Sequence, residues 1–337
     1  MITIIAGVLV SFFVTWFLTP FLINYFKNVG IVGIDQHKKD KPILPSSGGI
    51  SVAIGILCGL LTFVGLETFL FGISGDILSL LAITSSILIV TLVGLFDDLN
   101  VASKRVIVKD MKEIRIGLPQ WAKPLLTLPA AIPLMVISAG NSHINLPLIG
   151  LIDVGILYPL VLIPIGIVGA SNAVNMLGGF NGVEAGMGIF YMLGLGMFAL
   201  LTHNDIAVLF FIATAALLAF IRFNWYPARI LPGDSMTYLL GSVLAAGVIV
   251  GNMERFGIIL MLPFLVEFVL KLRSGFKATS LGKLRKDGAI ENIYGSKIYS
   301  LTHIVMNIGR FGERSITVIL VSLEILLVLI VLGVYLL

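Results

Sequence analysis

Two adjacent carboxylates, Asp97 and Asp98, close an apolar run in the stretch GLFDDLN. A carboxylate at a bilayer centre costs about 2.5 to 3.5 kcal/mol on insertion scales, so the end of a span is a more favourable position for one. A single aspartate there could simply stop a span at the lipid headgroups. Two neighbouring carboxylates repel each other and favour a cation beside them, which indicates a cation-binding position.

The stretch SNAVNMLGGFNGVEAG, residues 171–186, combines amides with glycines and contains no lysine or arginine. Asn172 and Asn175 are three residues apart and share a face if the preceding helix continues to them. Gly179 permits close approach of the backbone to a ligand, and Asn181 offers both a donor and an acceptor. A polar turn between two helices is the alternative. The composition favours a ligand-binding loop, with a nucleobase and a metal as candidate ligands.

Asp234 follows the chain-breaking pair Pro232 and Gly233 and precedes another apolar run. Aspartate is an ordinary helix N-cap, and this motif alone leaves that interpretation as good as a functional one. A basic group completes the set, with Lys123 at the start of an apolar run and several cations in the loop 271–288. Mg²⁺ takes carboxylate and phosphate oxygens, and basic side chains neutralise a transferring phosphoryl group. The combined set therefore favours phosphoryl transfer, with a headgroup-binding basic loop as the alternative.

The composition places these residues in an integral membrane protein. Of 337 residues, 58% are hydrophobic and 12% are charged, and the mean hydropathy is +1.07. Soluble domains carry about twice that share of charged residues. Cys58 is the only cysteine, so the sequence excludes an intramolecular disulfide and a cysteine-based metal site. The residues 1–26 carry no charge and read as a retained span rather than a cleaved signal.

Ten apolar runs are long enough to cross a hydrocarbon core of about 30 Å. These runs predict an all-α polytopic protein with a single membrane domain over residues 1–337. They lie at residues 2–26, 49–70, 77–96, 121–140, 154–175, 184–202, 206–222, 234–252, 257–272 and 315–337.

The lysines and arginines fix an orientation for these spans. Alternate connections, at 27–48, 96–123, 222–232 and 271–314, hold 21 of the 22 lysines and arginines, and only Arg255 falls on the other side. By the positive-inside rule these loops face the cytoplasm and both termini face outward. The net charge of +4 is therefore explained by the membrane topology, and we expect no nucleic-acid partner. The candidate active site lies at the cytoplasmic face of the cell membrane.

With these motifs in place, the sequence resembles the polyprenyl-phosphate N-acetylhexosamine-1-phosphate transferases, and within them the eukaryotic and archaeal dolichyl-phosphate branch. The resemblance runs from PSSGG at 45–49 to GERSITVILVSLEI at 312–325. It implies about ten transmembrane helices and a cytoplasmic active site that uses Mg²⁺, with Mn²⁺ as the alternative ion. It also implies transfer of N-acetylglucosamine 1-phosphate from UDP-N-acetylglucosamine to a polyprenyl phosphate, releasing UMP. A homodimer is left open.

The resemblance assigns roles position by position. It implies that Asp97 and Asp98 act on the lipid phosphate and help to place the metal, and that Lys123 contacts the diphosphate. The remaining positions are Asn175 and Asp234 as magnesium ligands, Gly179 and Asn181 as holders of the uracil, and Asn172 as a further active-site amide.

The sequence also departs from the family pattern. Ser46 stands where the eukaryotic pattern has glutamate, and a longer loop makes Lys104 and Lys109 competitors of Lys123. Arg285 and Lys286 are the candidates for reading the sugar, because the eukaryotic arginine motif has no clear copy. Clustered histidines typical of the bacterial peptidoglycan translocase are missing, and NGVEAG resembles the archaeal and eukaryotic form. Dolichyl phosphate is therefore favoured over undecaprenyl phosphate.

The sequence is compatible with more than one mechanism and more than one function. A one-step in-line attack by the lipid phosphate is favoured over an aspartyl-phosphate intermediate, with the paired aspartates positioning groups electrostatically. A transporter would place polar groups at mid-membrane, whereas most candidates here lie at helix ends. Glu267 and Glu324 are the exceptions, and each is interpreted as a buried carboxyl that is protonated or paired. A structural lipid-binding membrane protein is the third reading.

Overall fold

A computed structural model of the protein describes residues 2–72, 76–103, 106–107, 113–114, 119–146 and 150–336. Helices account for most of these residues. The α-helices are α1 Ile2–Val29, α2 Gly49–Leu66, α3 Ile77–Ser103, α4 Ala122–Thr127, α5 Ile132–Val136, α6 Ile163–Met176, α7 Val183–Leu201, α8 Ala207–Asn224, α9 Asp234–Val250, α10 Glu254–Leu260, α11 Leu262–Leu272, α12 Leu301–Ile308 and α13 Glu313–Leu336.

Four antiparallel β-hairpins lie in the connections between the helices. Their strands are β1 Val32–Ile34 with β2 Ile43–Pro45, β3 Val106–Ile107 with β4 Glu113–Ile114, β5 His143–Leu146 with β6 Gly150–Asp153, and β7 Lys283–Leu284 with β8 Ile290–Glu291. Each sheet has only two strands, and the register of the first pairs Gly33 with Leu44. The predicted all-α polytopic architecture is confirmed.

Within the described residues, seven helices are long and apolar enough to cross a membrane. The predicted count of ten is not confirmed, although every predicted run contains helix. The runs at 121–140 and 234–252 form shorter helical segments. The run at 257–272 is broken into α10 and α11, where Pro263 follows the break and cannot donate a backbone hydrogen bond.

Helix α9 is the centre around which the neighbouring helices pack. It is short, yet most of its residues are buried, and it packs against α2, α3, α6 and α8. Glycines allow two of these approaches. A Cβ atom on Gly94 would lie 2.5 Å from Cα of Ser235, and one on Gly241 would lie 2.4 Å from the carbonyl oxygen of Ala170. Helix α3 is thereby held against the first turn of α9, and the middle of α6 is held against the middle of α9.

Candidate active site

The ammonium of Lys123 lies between two carboxylates that are distant in sequence. Its Nζ atom is 2.6 Å from Oδ2 of Asp97 and 3.0 Å from Oδ2 of Asp234. Asp97 is 1% exposed, whereas Asp234 is 29% exposed and can meet a ligand from solution. Asp97 lies near the end of α3, Lys123 on α4 and Asp234 at the start of α9. We refer to Asp97, Asp98, Lys123 and Asp234 as the carboxylate cluster.

Asp98 makes different contacts from its neighbour Asp97. Its Oδ1 accepts a hydrogen bond from the backbone N–H of Asp234 at 2.8 Å, and its Oδ2 accepts from the N–H of Ser235 at 3.2 Å. The hydroxyl of Ser47 donates to the same Oδ2 at 2.8 Å. Successive helical residues point about 100° apart, so the two aspartates face different partners. Asp98 thus caps the N-terminus of α9 from another helix.

This contact changes the interpretation of Asp234. The sequence allowed Asp234 to be the N-cap of its own helix, but Gly233 occupies that position and makes no side-chain cap. The orphan N–H groups of the first turn bind Asp98 instead, and a carboxylate there is also favoured by the helix dipole. The side chain of Asp234 is left to face Lys123.

Substitution of Asp98 separates a capping role from a charged catalytic role. We expect Asp98→Ala to lower the free energy of unfolding by about 1 to 2 kcal/mol, because two N–H groups lose their acceptor. Activity should fall roughly 10- to 100-fold as Asp234 shifts. Asp98→Asn keeps an accepting oxygen and should retain more of both. Unfolding in mixed micelles and UMP release would measure the two effects. Equal losses of activity in both variants would contradict the capping role.

The two amides at the end of α6 contact different neighbours. Oδ1 of Asn175 accepts a hydrogen bond from the hydroxyl of Thr237 at 2.7 Å, which joins it to the first turn of α9. Nδ2 of Asn172 donates to Oγ1 of Thr127 at 3.1 Å and to the carbonyl of Val168 at 2.8 Å. Because Thr127 belongs to α4, Asn172 braces the helix that carries Lys123.

The oxygens around Lys123 form a suitable donor set for a hard divalent cation. Mg²⁺ prefers one or two carboxylates and leaves other positions to water and phosphate oxygens. Asp97 and Asp234 supply such oxygens on either side of Lys123, and the Asn175 amide contacts the same first turn of α9 through Thr237. A ready-made group of three or more His, Cys, Asp or Glu ligands is absent from the described residues. The set therefore fits a metal that is held together with its substrate.

A second polar network surrounds Asn181. Its backbone N–H donates to Oε1 of Glu313 at 2.9 Å, and its Nδ2 donates to Oδ2 of Asp35 at 3.0 Å. Lys38 pairs with Asp35 at 3.2 Å and with Glu313, and its Nζ lies 4.1 Å from the centre of the Tyr226 ring. We call Asp35, Lys38, Asn181 and Glu313 the Asn181 cluster. It ties the loop after β1 to the loop after α6 and to the start of α13.

Gly179 lies beside this network in a conformation that favours glycine. Its φ is +94°, its N–H donates to Oε1 of Glu184 at 2.8 Å, and a Cβ atom would lie 2.6 Å from Leu281.

Next to Gly179, Phe180 stacks on His37 with ring centres 4.3 Å apart. Burial lowers the pKa of His37 to about 4, so its Nε2 is a neutral acceptor for the N–H of Gly282 at 3.2 Å.

The predicted sugar-reading residues lie in an exposed hairpin. Arg285 directly follows β7 and pairs with Glu291 at 3.5 Å, and Lys286 is exposed beside it. Arg285 lines an open cleft of about 420 Å³. The described contacts join neither residue to the carboxylate cluster. Only the base of this loop, at residues 281–282, contacts Gly179 and His37. Lys104 and Lys109 lie outside the described residues.

Two buried carboxylates lie within apolar helices, and one of them anchors the late loop. Glu267 accepts hydrogen bonds from Ser280 at 3.1 Å, from Ser300 at 3.0 Å and from the N–H of Leu301 at 2.8 Å. Its Oε1 also lies 3.5 Å from Nζ of Lys271, so the prediction of a buried carboxyl that is protonated or paired is confirmed for Glu267. Glu324 is fully buried, and neither of its oxygens has a hydrogen-bond partner in the described part of the chain.

Sequence reasoning missed several contacts that build these networks. Asp35, Lys38 and Glu313 were not singled out, and neither was Ser47, although it lies in the quoted motif PSSGG. The signal for Glu313 was its place in GERSITVILVSLEI, where a charged residue begins an apolar run. The partner of Asn181 could not be read from spacing, since Asp35 and Asn181 are separated by 146 positions.

Comparison with known proteins agrees with this architecture. The profile described as glycosyl transferase family 4 matches residues 80–252, which include the carboxylate cluster and Asn175. A protein of Saccharolobus solfataricus is 36% identical over 331 residues, covering 96% of this chain and 94% of its own length. It carries the provisional name UDP-N-acetylglucosamine–dolichyl-phosphate N-acetylglucosaminephosphotransferase.

Two more distant relatives span eukaryotes and bacteria. A Schizosaccharomyces pombe protein, named UDP-N-acetylglucosamine–dolichyl-phosphate N-acetylglucosaminephosphotransferase, is 26% identical and covers 79% of this chain and 67% of its own length. A phospho-N-acetylmuramoyl-pentapeptide-transferase of Halalkalibacterium halodurans is 30% identical, covering 77% of this chain and 78% of its own length. The profile match and these identities, together with the bundle of apolar helices, show that the chain is a multi-pass membrane protein belonging to glycosyl transferase family 4.

Proposed function

We propose that the protein transfers N-acetylglucosamine 1-phosphate from UDP-N-acetylglucosamine to a dolichyl-type polyprenyl phosphate. The products are UMP and the diphosphate-linked lipid, which would begin the assembly of a membrane-bound glycan. The observation that carries the proposal is Lys123 held between Asp97 and Asp234 at the ends of apolar helices. The names of the archaeal and yeast relatives support the choice of sugar and lipid.

The single membrane domain is oriented with its basic loops in the cytoplasm and both termini outside. The support is the placement of 21 of the 22 lysines and arginines in alternate connections. A polyprenyl phosphate keeps its tail in the bilayer and its headgroup at the interface. Asp234, which is partly exposed at the start of α9, can there meet both the lipid phosphate and a soluble nucleotide sugar.

The reaction is a one-step displacement at phosphorus. An oxygen of the lipid phosphate bonds to the β-phosphorus of the nucleotide sugar while the bond to UMP breaks. A phosphomonoester has its second pKa at about 6. The lipid phosphate is therefore already mostly dianionic at neutral pH and needs little help from a base. Asp97 and Asp98 therefore position groups, and Lys123 neutralises charge on the diphosphate.

Asp234 and Asn175 are the residues that would hold Mg²⁺, with Mn²⁺ as the alternative ion. The bound ion supplies positive charge to the phosphate oxygens. Asn172 acts indirectly by bracing α4 through Thr127. Gly179 and Asn181 hold the uracil, and the late loop, with Arg285 and Lys286 as candidates, reads the sugar.

The decisive experiment is an assay of the purified full-length protein. UDP-N-acetylglucosamine, UDP-N-acetylgalactosamine and UDP-N-acetylmuramoyl-pentapeptide would each be offered with dolichyl or undecaprenyl phosphate. We expect release of UMP and formation of the diphosphate lipid with the first sugar and the dolichyl acceptor. Absence of UMP with every pair would contradict the transferase. Turnover only with the muramoyl substrate would contradict the assigned sugar.

Asp35 is expected to set the preference for uracil through Asn181. Nδ2 of Asn181 is used by Asp35, so its Oδ1 is presented as an acceptor, which suits the imide N–H of uracil and not cytosine. Asp35→Asn allows the amide to reverse. Its preference for UDP- over CDP-N-acetylglucosamine should fall by about tenfold or more, because a mismatched polar site rejects a ligand strongly. Competition by UMP and CMP would measure this preference.

The control for Asp35→Asn is Asp40→Asn, which changes an exposed aspartate in the same loop. It should leave the ratio of the two nucleotides unchanged. An unaltered ratio in Asp35→Asn, with normal turnover of the UDP-sugar, would contradict the orienting role.

A further inference from the structure

A second concave site lies at the opposite end of the molecule from the carboxylate cluster. Helix α9 runs away from Asp234 for 17 residues, which spans about 25 Å at 1.5 Å per residue. Helix α10 begins just beyond its far end. A groove of about 230 Å³ lies there between α10 and the end of α13. It is lined by Arg255, Phe256, Ile259, Ile330, Val334 and Tyr335.

The floor of the groove is built from packed aromatic rings. Phe198 of α7 is 5% exposed, and its ring centre lies 3.8 Å from that of Phe256 and 5.0 Å from that of Tyr335. The walls are apolar side chains of α10 and α13, of which Val334 is 63% exposed. Since α13 is one of the helices able to span a membrane, the groove opens towards hydrocarbon.

Arg255 gives this apolar groove a single positive charge. It is exposed at the start of α10, and it is the lysine or arginine that departs from the cytoplasmic sorting of the other 21. Its neighbour Glu254 is engaged by the hydroxyl of Tyr158. Other charged groups in the connections on this side are acidic, including Asp153 and Asp205. An anionic headgroup is therefore attracted to this side only at Arg255.

We propose that the groove binds one acyl chain of an anionic phospholipid, with the lipid phosphate at Arg255. The combination of an apolar slot that opens to hydrocarbon and a cation at headgroup level selects this class of ligand. An arginine also matches the geometry of phosphate oxygens, which it contacts through two parallel N–H groups. The site lies on the outer side of the membrane and is independent of the transfer reaction.

Native mass spectrometry of the full-length protein tests this site. Protein in mild detergent would be titrated with phosphatidylglycerol and with phosphatidylcholine of the same chains. The wild-type protein should bind the first lipid about fivefold more tightly, the size expected for one basic residue at a membrane surface. Arg255→Gln should remove this difference, whereas Arg255→Lys should keep most of it. Val334→Trp fills the groove and should weaken binding of both lipids.

The matched control is Lys297→Gln, which removes an exposed cation from the late loop. It should leave the preference at wild-type strength. Equal binding of the two lipids to the wild-type protein would overturn the proposal, as would an unchanged preference in Arg255→Gln. A loss in Lys297→Gln equal to that in Arg255→Gln would place the anionic lipid on the cytoplasmic side instead.

Discussion

Replacement of Asp234 by alanine is expected to lower UMP release by roughly 100-fold or more, because the carboxylate that would hold the metal beside the reacting phosphates is lost. Asp234 is the more exposed of the two carboxylates that flank Lys123, and its backbone is fixed by Asp98. Its side chain, which pairs with Lys123, can therefore be changed without unfolding α9. Steady-state rates over a range of Mg²⁺ concentrations would measure the loss.

Three further variants sharpen the metal assignment of Asp234. Asn175→Ala should likewise lower UMP release and weaken its dependence on Mg²⁺, since the amide oxygen of Asn175 lies at the same end of α9 as Asp234. Asp205→Ala removes an exposed carboxylate at the opposite side of the membrane domain and should have wild-type rates. Asp234→Asn keeps the size of the side chain but not its charge, and should resemble the alanine variant. Direct measurement of Mn²⁺ binding to these variants tests the metal assignment independently of turnover. Wild-type turnover in Asp234→Ala or in Asn175→Ala would remove the metal assignment.

Replacement of Lys123 by glutamine is expected to reduce both stability and activity. Asp97 is almost fully buried, and removal of its cation leaves a buried charge that costs about 3 kcal/mol or more. Activity should fall roughly 100-fold, because the diphosphate loses a compensating charge. Unfolding in mixed micelles and UMP release at saturating Mg²⁺ would measure the two effects separately.

A double-mutant cycle distinguishes the structural role of Lys123 from its catalytic one. Adding Asp97→Asn to Lys123→Gln removes the buried negative charge, so most of the lost stability should return while activity stays low. Lys123→Arg keeps the charge and serves as the conservative control. Recovery of activity together with stability in the double variant would mean that Lys123 acts only as a structural partner of Asp97.

The sequence alone predicted a helical membrane protein. It also predicted that the candidate polar residues lie at one common end of the helices. Long uncharged apolar runs are stable in the bilayer, and the lysines and arginines lie in alternate connections. The spans and their predicted orientation are therefore encoded in local stretches of sequence. The glycine-rich loop at 178–182 and the aspartates at 97 and 98 were likewise visible as residues that fit neither hydrocarbon nor an ordinary turn.

Only the tertiary structure separated the roles of residues that look alike in sequence. Asp97 and Asp98 are adjacent, yet one pairs with Lys123 and the other caps α9, because a helix turns them towards different neighbours. The partners of Asn181, Asp35 and Glu313, are 146 and 132 positions away along the chain. The role of a carboxylate is set by the groups it touches, and contacts over such separations form only when the helices pack.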